Sequence, residues 1–485
     1  MKGMVVLMKM LIGGQKKDSP GGRTIDILNP ATQKLIDTVP DSSIEDLDLA
    51  LKHSLNGKKI WGGTPLHERS KILLKFIDKI SEHVDELAEL LCKETGKPIK
   101  EAKAEVGLVP VIFRRFLEGA NHLYGITLPD NQQGGENDII YTRREPLGTV
   151  VCIIPFNFPA STYAYKVAPA LSTGNSVIVK PPSDNPLTLI KITELLAECG
   201  VPGDALQIVT GSGSVVGKYL VGSSEIDAVS LTGSTAVGIE TAKQAAANLH
   251  RVFLELGGND AMIIYEDADM ELALQNAIMA RTTNSGQICI ATKRFIVQNS
   301  IRENFTKQLV ERLKKLKIGD PINPESEMGC LINEKAALEV KRQVEYTVGQ
   351  GAKCLCGGNI INRTFFEPTV LTDVTPDMDI AKDMEVFGPV FPVIGFDTMD
   401  EAIEIHNSSV YGLNGGIMTH DISKALKTAY RIECGSVVLN GTGRYRHPDI
   451  AFGGYKMSGI GREGVSATLE ELTQVKTIIM KGILM

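Results

Sequence analysis

Between positions 149 and 238 short apolar, β-branched runs alternate with helical segments, and this alternation constrains the fold more than any other feature of the chain. The runs at 149–154, 176–179, 205–210 and 226–231 are strand-length, and each is followed by a segment with helical character. Parallel neighbours in a sheet need a crossover between them, so the pattern predicts a parallel, doubly wound α/β sheet. A second alternation opens at 261–264 and 294–297 and runs to 440, which places the start of a second α/β lobe just after Gly257-Gly258. With 485 residues the chain has room for two or three lobes, each with its own core.

From 42 to 91 the apolar residues instead recur at helical spacing, as in Leu73, Leu74, Phe76, Ile77, Ile80, Val84, Leu87 and Leu90, and predict a helical subdomain. The run Ile139-Ile140-Tyr141-Thr142 inside the charged stretch 137–145, and the segment 473–480, read as protruding edge strands that pair with another subunit. The opening, 1–12, reads as a leading strand rather than a signal peptide. Lys9 interrupts its apolar run, and no small-residue cleavage site precedes Gly13-Gly14-Gln15. No apolar stretch reaches the roughly 18 residues a membrane-spanning helix needs.

The formal net charge of -7 gives no basic field with which to hold nucleic acid or anionic lipid, and points to a cytoplasmic protein acting on small molecules. The eight cysteines, at 92, 152, 199, 289, 330, 354, 356 and 434, show no CxxC pairing, so neither a metal site nor a disulfide framework is expected. Cys354 and Cys356 lack the accompanying ligands that a metal would need. A reducing compartment fits this usage.

Three short motifs carry chemistry. Cys289 ends the run Asn284-Ser285-Gly286-Gln287-Ile288-Cys289, in which Gly286 and Gln287 are poor core residues and suggest a tight turn presenting both the sulfur and the Cys289 N–H. Read alone, it is equally a buried structural thiol. Glu255 lies near the end of the apolar run 252–256, before Gly257-Gly258; an ion pair is its bland reading, and a desolvated general base its functional one. Asn157, between Phe156 and Phe158 and before Pro159, is either a turn asparagine or an amide facing a cleft. Together, a thiol that adds to a carbonyl, an amide that holds the oxyanion and a carboxylate that activates water imply oxidation of an aldehyde through a thioester.

The G-x-G-x-x-G fingerprint of the standard dinucleotide fold is absent from the first strand. In its place, Thr232-Gly233-Ser234-Thr235 leads from a strand into a helix whose N-terminus suits a pyrophosphate, or is simply capped. Lys180-Pro181-Pro182-Ser183 ends the strand at 176–179, where Lys180 is placed to meet an adenosine ribose. Ser183 stands where an acid would grip the 2′-hydroxyl and repel a 2′-phosphate, so NADP is admitted beside NAD and slightly favoured.

The chain resembles the NAD(P)-dependent aldehyde dehydrogenase superfamily over nearly its whole length. The resemblance is carried by Pro155-Phe156-Asn157-Phe158-Pro159, Lys180-Pro181-Pro182, Leu231-Thr232-Gly233-Ser234, Glu255-Leu256-Gly257-Gly258, Gly286-Gln287-Ile288-Cys289, Glu385-Val386-Phe387-Gly388-Pro389 and Phe452-Gly453-Gly454-Tyr455-Lys456-Met457-Ser458-Gly459. It implies an aldehyde dehydrogenase-like α/β fold, with two doubly wound parallel-sheet domains and a small oligomerisation arm, assembled as a homodimer or homotetramer. The implied division is a cofactor-binding domain at 1–125 and 146–257, a catalytic domain at 258–440, an arm at 126–145 and 472–485, and a substrate-tunnel loop with return segment at 441–471.

By the same resemblance Cys289 is the nucleophile, Asn157 and the Cys289 N–H form the oxyanion hole, and Glu255 is the base for deacylation. Ile154, Pro155, Phe156 and Leu256 belong to the implied cofactor site. There Lys180 and Ser183 meet the adenosine ribose, Gly213 and Gly217 the adenine side, Gly233 and Ser234 the pyrophosphate, and Glu385 and Phe387 the nicotinamide end.

Tyr165, Arg446 and Phe452 fall at the implied substrate tunnel. Arg446 stands six residues before Phe452, with Arg444 close by, where many members that act on apolar aldehydes carry an aromatic residue. A guanidinium there suits a carboxylate, phosphate, phosphonate or sulfonate, while an exposed loop arginine is the alternative. The loop, continuing through Gly459-Ile460-Gly461-Arg462-Glu463-Gly464, is most similar to the lactaldehyde and semialdehyde branch, which includes glyceraldehyde 3-phosphate and phosphonoacetaldehyde enzymes. Succinate semialdehyde is less favoured, since Tyr165 rather than an arginine precedes Lys166. A coenzyme A-acylating dehydrogenase is the enzymatic rival, and Glu255 speaks against it. A catalytically silent binding protein is the rival of another class, and the retention of all three chemical residues speaks against that.

Overall fold

The computed structural model describes residues 8–484. Its first sheet has eight strands in the order Gln15–Lys17, Met10–Ile12, Leu206–Ile208, Ser176–Lys180, Thr149–Ile153, Ala228–Thr232, Arg251–Glu255, Gly459–Ile460. The run from Leu206–Ile208 to Arg251–Glu255 is parallel throughout, while both flanks are antiparallel. The doubly wound parallel sheet expected from the sequence is thus its centre, and its edges are closed by short antiparallel strands that the alternation did not announce. Only 10–12 of the expected leading strand is strand among the described residues; the expectation for 1–7 lies outside them.

Burial explains why the central strands read as continuous apolar runs. Every residue of Ser176–Lys180 is buried, as a parallel strand covered on both faces requires. One cover is the helical subdomain: Ile44–Gly63, Leu66–Glu82, Val84–Thr95 and Ile99–Ala120. The first starts on a capping box, in which Ser43 receives the Asp46 N–H and Asp46 receives the Ser43 N–H. Trp61, Leu73, Phe76, Phe113 and Phe116 from these helices share one core with Val150, Val177 and Leu206 of the sheet. Val84–Thr95 ends at Gly96, left-handed at φ 76°, where a Cβ would come within 2.4 Å of the Cys330 sulfur. That turn delivers Lys97 into the interior.

The second sheet has seven strands in the order Lys353–Cys356, Thr369–Val374, Val390–Phe396, Arg294–Gln298, Ala261–Ile264, Asn414–Met418, Ser436–Leu439. All its pairings are parallel except that of the edge strand Lys353–Cys356. A third, antiparallel sheet joins Thr473–Met480, Ile139–Pro146 and Thr127–Leu128, with Thr473 opposite Pro146 and Met480 opposite Ile139. Val475 and Ile479 of this sheet are each 57 % exposed.

Candidate active site

After the helix Met270–Thr282 the chain makes a tight turn in which Asn284 (φ 47°), Ser285 (φ 54°) and Gly286 (φ 78°) are all left-handed. Such conformations cost about 1–3 kcal/mol for each non-glycine residue and persist only where the surroundings fix them. Here they do. The Asn284 N–H donates to Glu101 at 2.8 Å, and its side-chain amide donates to the carbonyls of Asn157 (3.0 Å) and Gln287 (3.2 Å). The buried Arg281 guanidinium donates to the carbonyls of Val390 (2.7 Å) and Gly286 (3.3 Å). Gly286 has no substitute, because a Cβ would lie 2.3 Å from the Gly388 carbonyl oxygen. Gln287, read from sequence as a poor core residue, is fully buried. Its amide donates to the Asn284 carbonyl at 3.0 Å, and its oxygen accepts the Ile332 N–H at 2.9 Å.

This turn sets Cys289, half-buried, in the wall of a cavity of about 660 Å³. Burial pushes its thiol up to about 12; Glu255, Asp260 and Glu385 add to the rise, and Lys293 opposes it. A thiol raised in this way must lose its proton before it can add to a carbonyl.

Asn157 lies between the strand Thr149–Ile153 and the helix Pro159–Ser172 and lines the same cavity. Its backbone carbonyl is pinned from two sides, by the Asn284 amide and by the Lys97 ammonium at 2.8 Å. Lys97 is fully buried against Glu105 and stands 4.1 Å from the centre of the Phe158 ring. Glu105 in turn caps the helix, accepting the N–H groups of Ala160 (2.9 Å) and Ser161 (3.3 Å). The side-chain amide of Asn157 takes part in none of the hydrogen bonds among the described residues and is left to the cavity.

Glu255 ends its strand in register with Thr232 on one side and Gly459 on the other. It does not line that cavity but a small separate void, with Tyr165, Lys166, Arg462 and Glu463. One carboxylate oxygen is buried without a hydrogen-bond partner. Burial raises its pKa well above the ordinary carboxylate range, the Glu463 charge adds to this, and Arg446, Lys166 and Arg462 pull it back. Burial alone would raise Glu463 as well, but Lys166 and Arg446 outweigh it and hold that carboxyl low. The contacts are direct: Lys166 at 3.0 Å and Arg446 at 2.7 Å.

Arg446, read from sequence as a guanidinium open to a substrate anion, thus already has a resident carboxylate. It is stacked on Phe452 at 3.7 Å and on Tyr165 at 4.3 Å, and its Nη1 is buried without a partner among the described residues. Arg444 donates to Thr283 Oγ1 at 2.7 Å and to the Met279 carbonyl at 3.0 Å.

Of the positions expected to hold a cofactor, Pro155, Phe156, Gly233, Ser234, Leu256, Glu385 and Phe387 line the cavity with Cys289. Ile154, Lys180, Ser183, Gly213 and Gly217 do not. Ile154 is buried, and its N–H donates to the Lys180 carbonyl at 3.0 Å. Lys180 donates to Ser183 at 3.3 Å, and Ser183 to the Gly211 carbonyl at 3.0 Å. Gly213–Gly217 forms a wide helical turn.

The cavity takes in part of the expected cofactor site. Its size is that of a ligand pocket, and it runs from the Gly233–Ser234 turn, which opens the helix Thr235–Ala246, to the thiol. At Gly233 an added Cβ would meet only Leu231, at 3.5 Å, whereas at Gly257 it would come within 2.4 Å of the Glu385 carboxylate. Gly257 thus keeps the space in which Glu385 sits. Sequence reasoning missed Lys97, Glu105 and Asn284, which pin Asn157. It also missed Asp184 and the start of the helix Glu334–Gly349, which supply the opposite wall.

A family model described as the aldehyde dehydrogenase family matches residues 16–478. A lactaldehyde dehydrogenase of Methanococcus maripaludis is 35% identical over 463 residues, covering 95% of this chain and 97% of that protein. A glutarate-semialdehyde dehydrogenase of Pseudomonas putida is 36% identical over 465 residues, covering 96% of each. Among solved structures, betaine aldehyde dehydrogenase of Staphylococcus aureus in complex with NAD+ superposes with a TM-score of 0.95 at 35% identity, covering 98% of this chain and 95% of that one.

Proposed function

The chain belongs to the aldehyde dehydrogenase family, and from that premise we propose that it oxidises a small hydroxylated or anionic aldehyde to its carboxylate through a thioester on Cys289. The observation that carries this reading is the meeting of Cys289 with the uncommitted Asn157 amide in one nucleotide-sized cavity, with a desolvated Glu255 whose charge the thiol feels.

The roles follow from the surroundings. Once deprotonated, Cys289 sulfur attacks the aldehyde carbon, and the carbonyl oxygen becomes an oxyanion that the Asn157 amide and the Cys289 N–H would receive. A nicotinamide dinucleotide, when bound, supplies the hydride acceptor that makes the step an oxidation. Glu255 then takes a proton from water, the hydroxide carbon–oxygen bond forms, the carbon–sulfur bond breaks, and the carboxylate leaves. Pro155, Leu256 and Phe387 line the cavity and would limit water at the reacting end. Gly233, Ser234 and Glu385 would hold the pyrophosphate and the nicotinamide ribose.

The substrate class rests on Arg446 and on the lactaldehyde and glutarate-semialdehyde relatives. NAD and NADP are both admitted. Ser183 tips the reading slightly toward NADP, and Asp184, on the cavity wall beside it, works against a 2′-phosphate. The exposed apolar face of the three-stranded sheet supports a homodimer or homotetramer, and the free thiols suit a cytoplasmic, reducing compartment. Among the described residues no helix is long and apolar enough to cross a membrane.

A panel of lactaldehyde, glutarate and succinate semialdehydes and neutral aldehydes of equal length, run with each nucleotide and with and without coenzyme A, tests the proposal. We expect carboxylate product without coenzyme A. A strict requirement for coenzyme A would replace the hydrolytic reading with the acylating one.

A further inference from the structure

Lys293 is 1 % exposed, and its ammonium touches both ends of the reacting site. It donates to the backbone carbonyl of Cys289 at 2.5 Å, lies 3.2 Å from the Glu385 carboxylate, and stands 5.9 Å from the centre of the Phe387 ring. Glu385 also accepts the Gly258 N–H at 3.2 Å, so the lysine, the carboxylate and the double-glycine turn form one connected unit. The neighbouring Arg294 is differently employed: its guanidinium is spent on the carbonyls of Asn259, Ala381, Ile405 and His406.

We propose that Lys293 is a positioning residue, which ties Glu385 on the nucleotide side to the nucleophile loop and supplies the positive charge that supports a thiolate on Cys289. The inference rests on Cys289 being the nucleophile. The groups whose charges bear on the thiol come from four places: Glu255 at the end of its strand, Asp260 just after the double glycine, Glu385 before the strand Val390–Phe396, and Lys293 itself. Three are acids that oppose the thiolate, and Lys293 is the cation set against them. Loss of the lysine and loss of the acid it pairs with must therefore move the thiol in opposite directions. A lysine that merely fills space would give no such opposition.

The test uses the full chain as Lys293→Met, Lys293→Arg and Glu385→Gln, each verified as folded by circular dichroism. Alkylation of Cys289 by iodoacetamide, read on its own peptide by mass spectrometry so that Cys354 and Cys356 do not contribute, is followed against pH without nucleotide, and NAD+ affinity is measured by fluorescence. We expect Lys293→Met to alkylate about tenfold more slowly at a pH of about 8, its rising limb moving up by about one pH unit. Lys293→Arg should stay near wild type, and Glu385→Gln should move the limb down. NAD+ should bind several-fold more weakly to Lys293→Met.

Coincident profiles for Lys293→Met and wild type, or a Glu385→Gln limb that stays or rises, would overturn the proposal. If Lys293→Met does not fold, Lys293→Gln decides by the same criterion. Absence of a thioester in turnover would sink the reading of the site but leave these alkylation profiles standing, so the two failures are distinct.

Discussion

Arg446 and Glu463 form an ion pair at 2.7 Å, with the guanidinium stacked on Phe452. Because Glu463 also holds Lys166, one carboxylate joins Arg446 to the residues around Glu255. A substrate anion would meet an arginine whose Nη2 is already engaged by Glu463 and whose buried Nη1 has no partner among the described residues.

We therefore expect Arg446→Ala to raise KM for anionic aldehydes about tenfold, near 1.4 kcal/mol, and to raise it less for neutral aldehydes of equal length. Glu463→Gln should act oppositely on KM for the anions, by freeing the guanidinium. Steady-state kinetics on paired substrates checks both. Equal changes for the two substrate kinds would leave Arg446 as a partner of Glu463 alone.

Removal of the uncommitted amide should be expensive in rate and cheap in binding. Asn157→Ala is expected to lower kcat by about 10²–10³-fold, the usual effect of losing one oxyanion donor, with nucleotide affinity nearly unchanged. A loss of nucleotide binding as large as the loss in kcat would show that the loop itself had moved.

Glu255 must be ionised to act as a base, and its pKa is raised by burial and by Glu463. Deacylation should accordingly speed up as pH rises through that elevated value, so the ascending limb lies above the ordinary carboxylate range. Glu255→Gln should abolish this limb and slow deacylation by about 10²–10⁴-fold, while the first hydride transfer persists as a burst. Stopped-flow absorbance of the reduced nucleotide separates the two phases.

The left-handed turn before Cys289 leaves no room at Gly286. Gly286→Ala combines a φ of 78° with backbone overlap at Gly388, and we expect a loss of about 2–4 kcal/mol of stability together with slower Cys289 alkylation. Thermal unfolding with peptide-mapped alkylation checks it, and an unaltered melting temperature would contradict the strain.

What the sequence made legible was local. The central parallel strands announced themselves because they are buried on both faces, as in Ser176–Lys180, where Val177, Ile178 and Val179 form an unbroken apolar run. Thr473–Met480 was legible as a strand, but it and Ile139–Pro146 were expected as edge strands that pair with another subunit; they pair with each other, and Ile139–Pro146, flanked also by Thr127–Leu128, is the middle strand. Cys289, Asn157 and Glu255 stood out because polar chemistry at strand ends and glycine turns has few structural reasons to be there. The supports were invisible. Lys97 reaches Asn157 across 60 positions and Asn284 reaches it across 127, and no local pattern encodes such a contact. Arg446 was legible as a charge but not as a paired one, since Glu463 approaches it through the backbone pairing of Phe452 with Glu463. Ser183 was weighed as the nucleotide selector, yet Asp184, one position on, lines the cavity.

The most direct test is rapid-quench mass spectrometry of Glu255→Gln turning over an aldehyde that the wild-type enzyme oxidises. We expect the Cys289 peptide to gain the acyl mass of the substrate, only when nucleotide is present, and Cys289→Ala to show neither adduct nor turnover. Steady oxidation by the wild type, with the Cys289 peptide of Glu255→Gln unmodified at every time point, would contradict the thioester route.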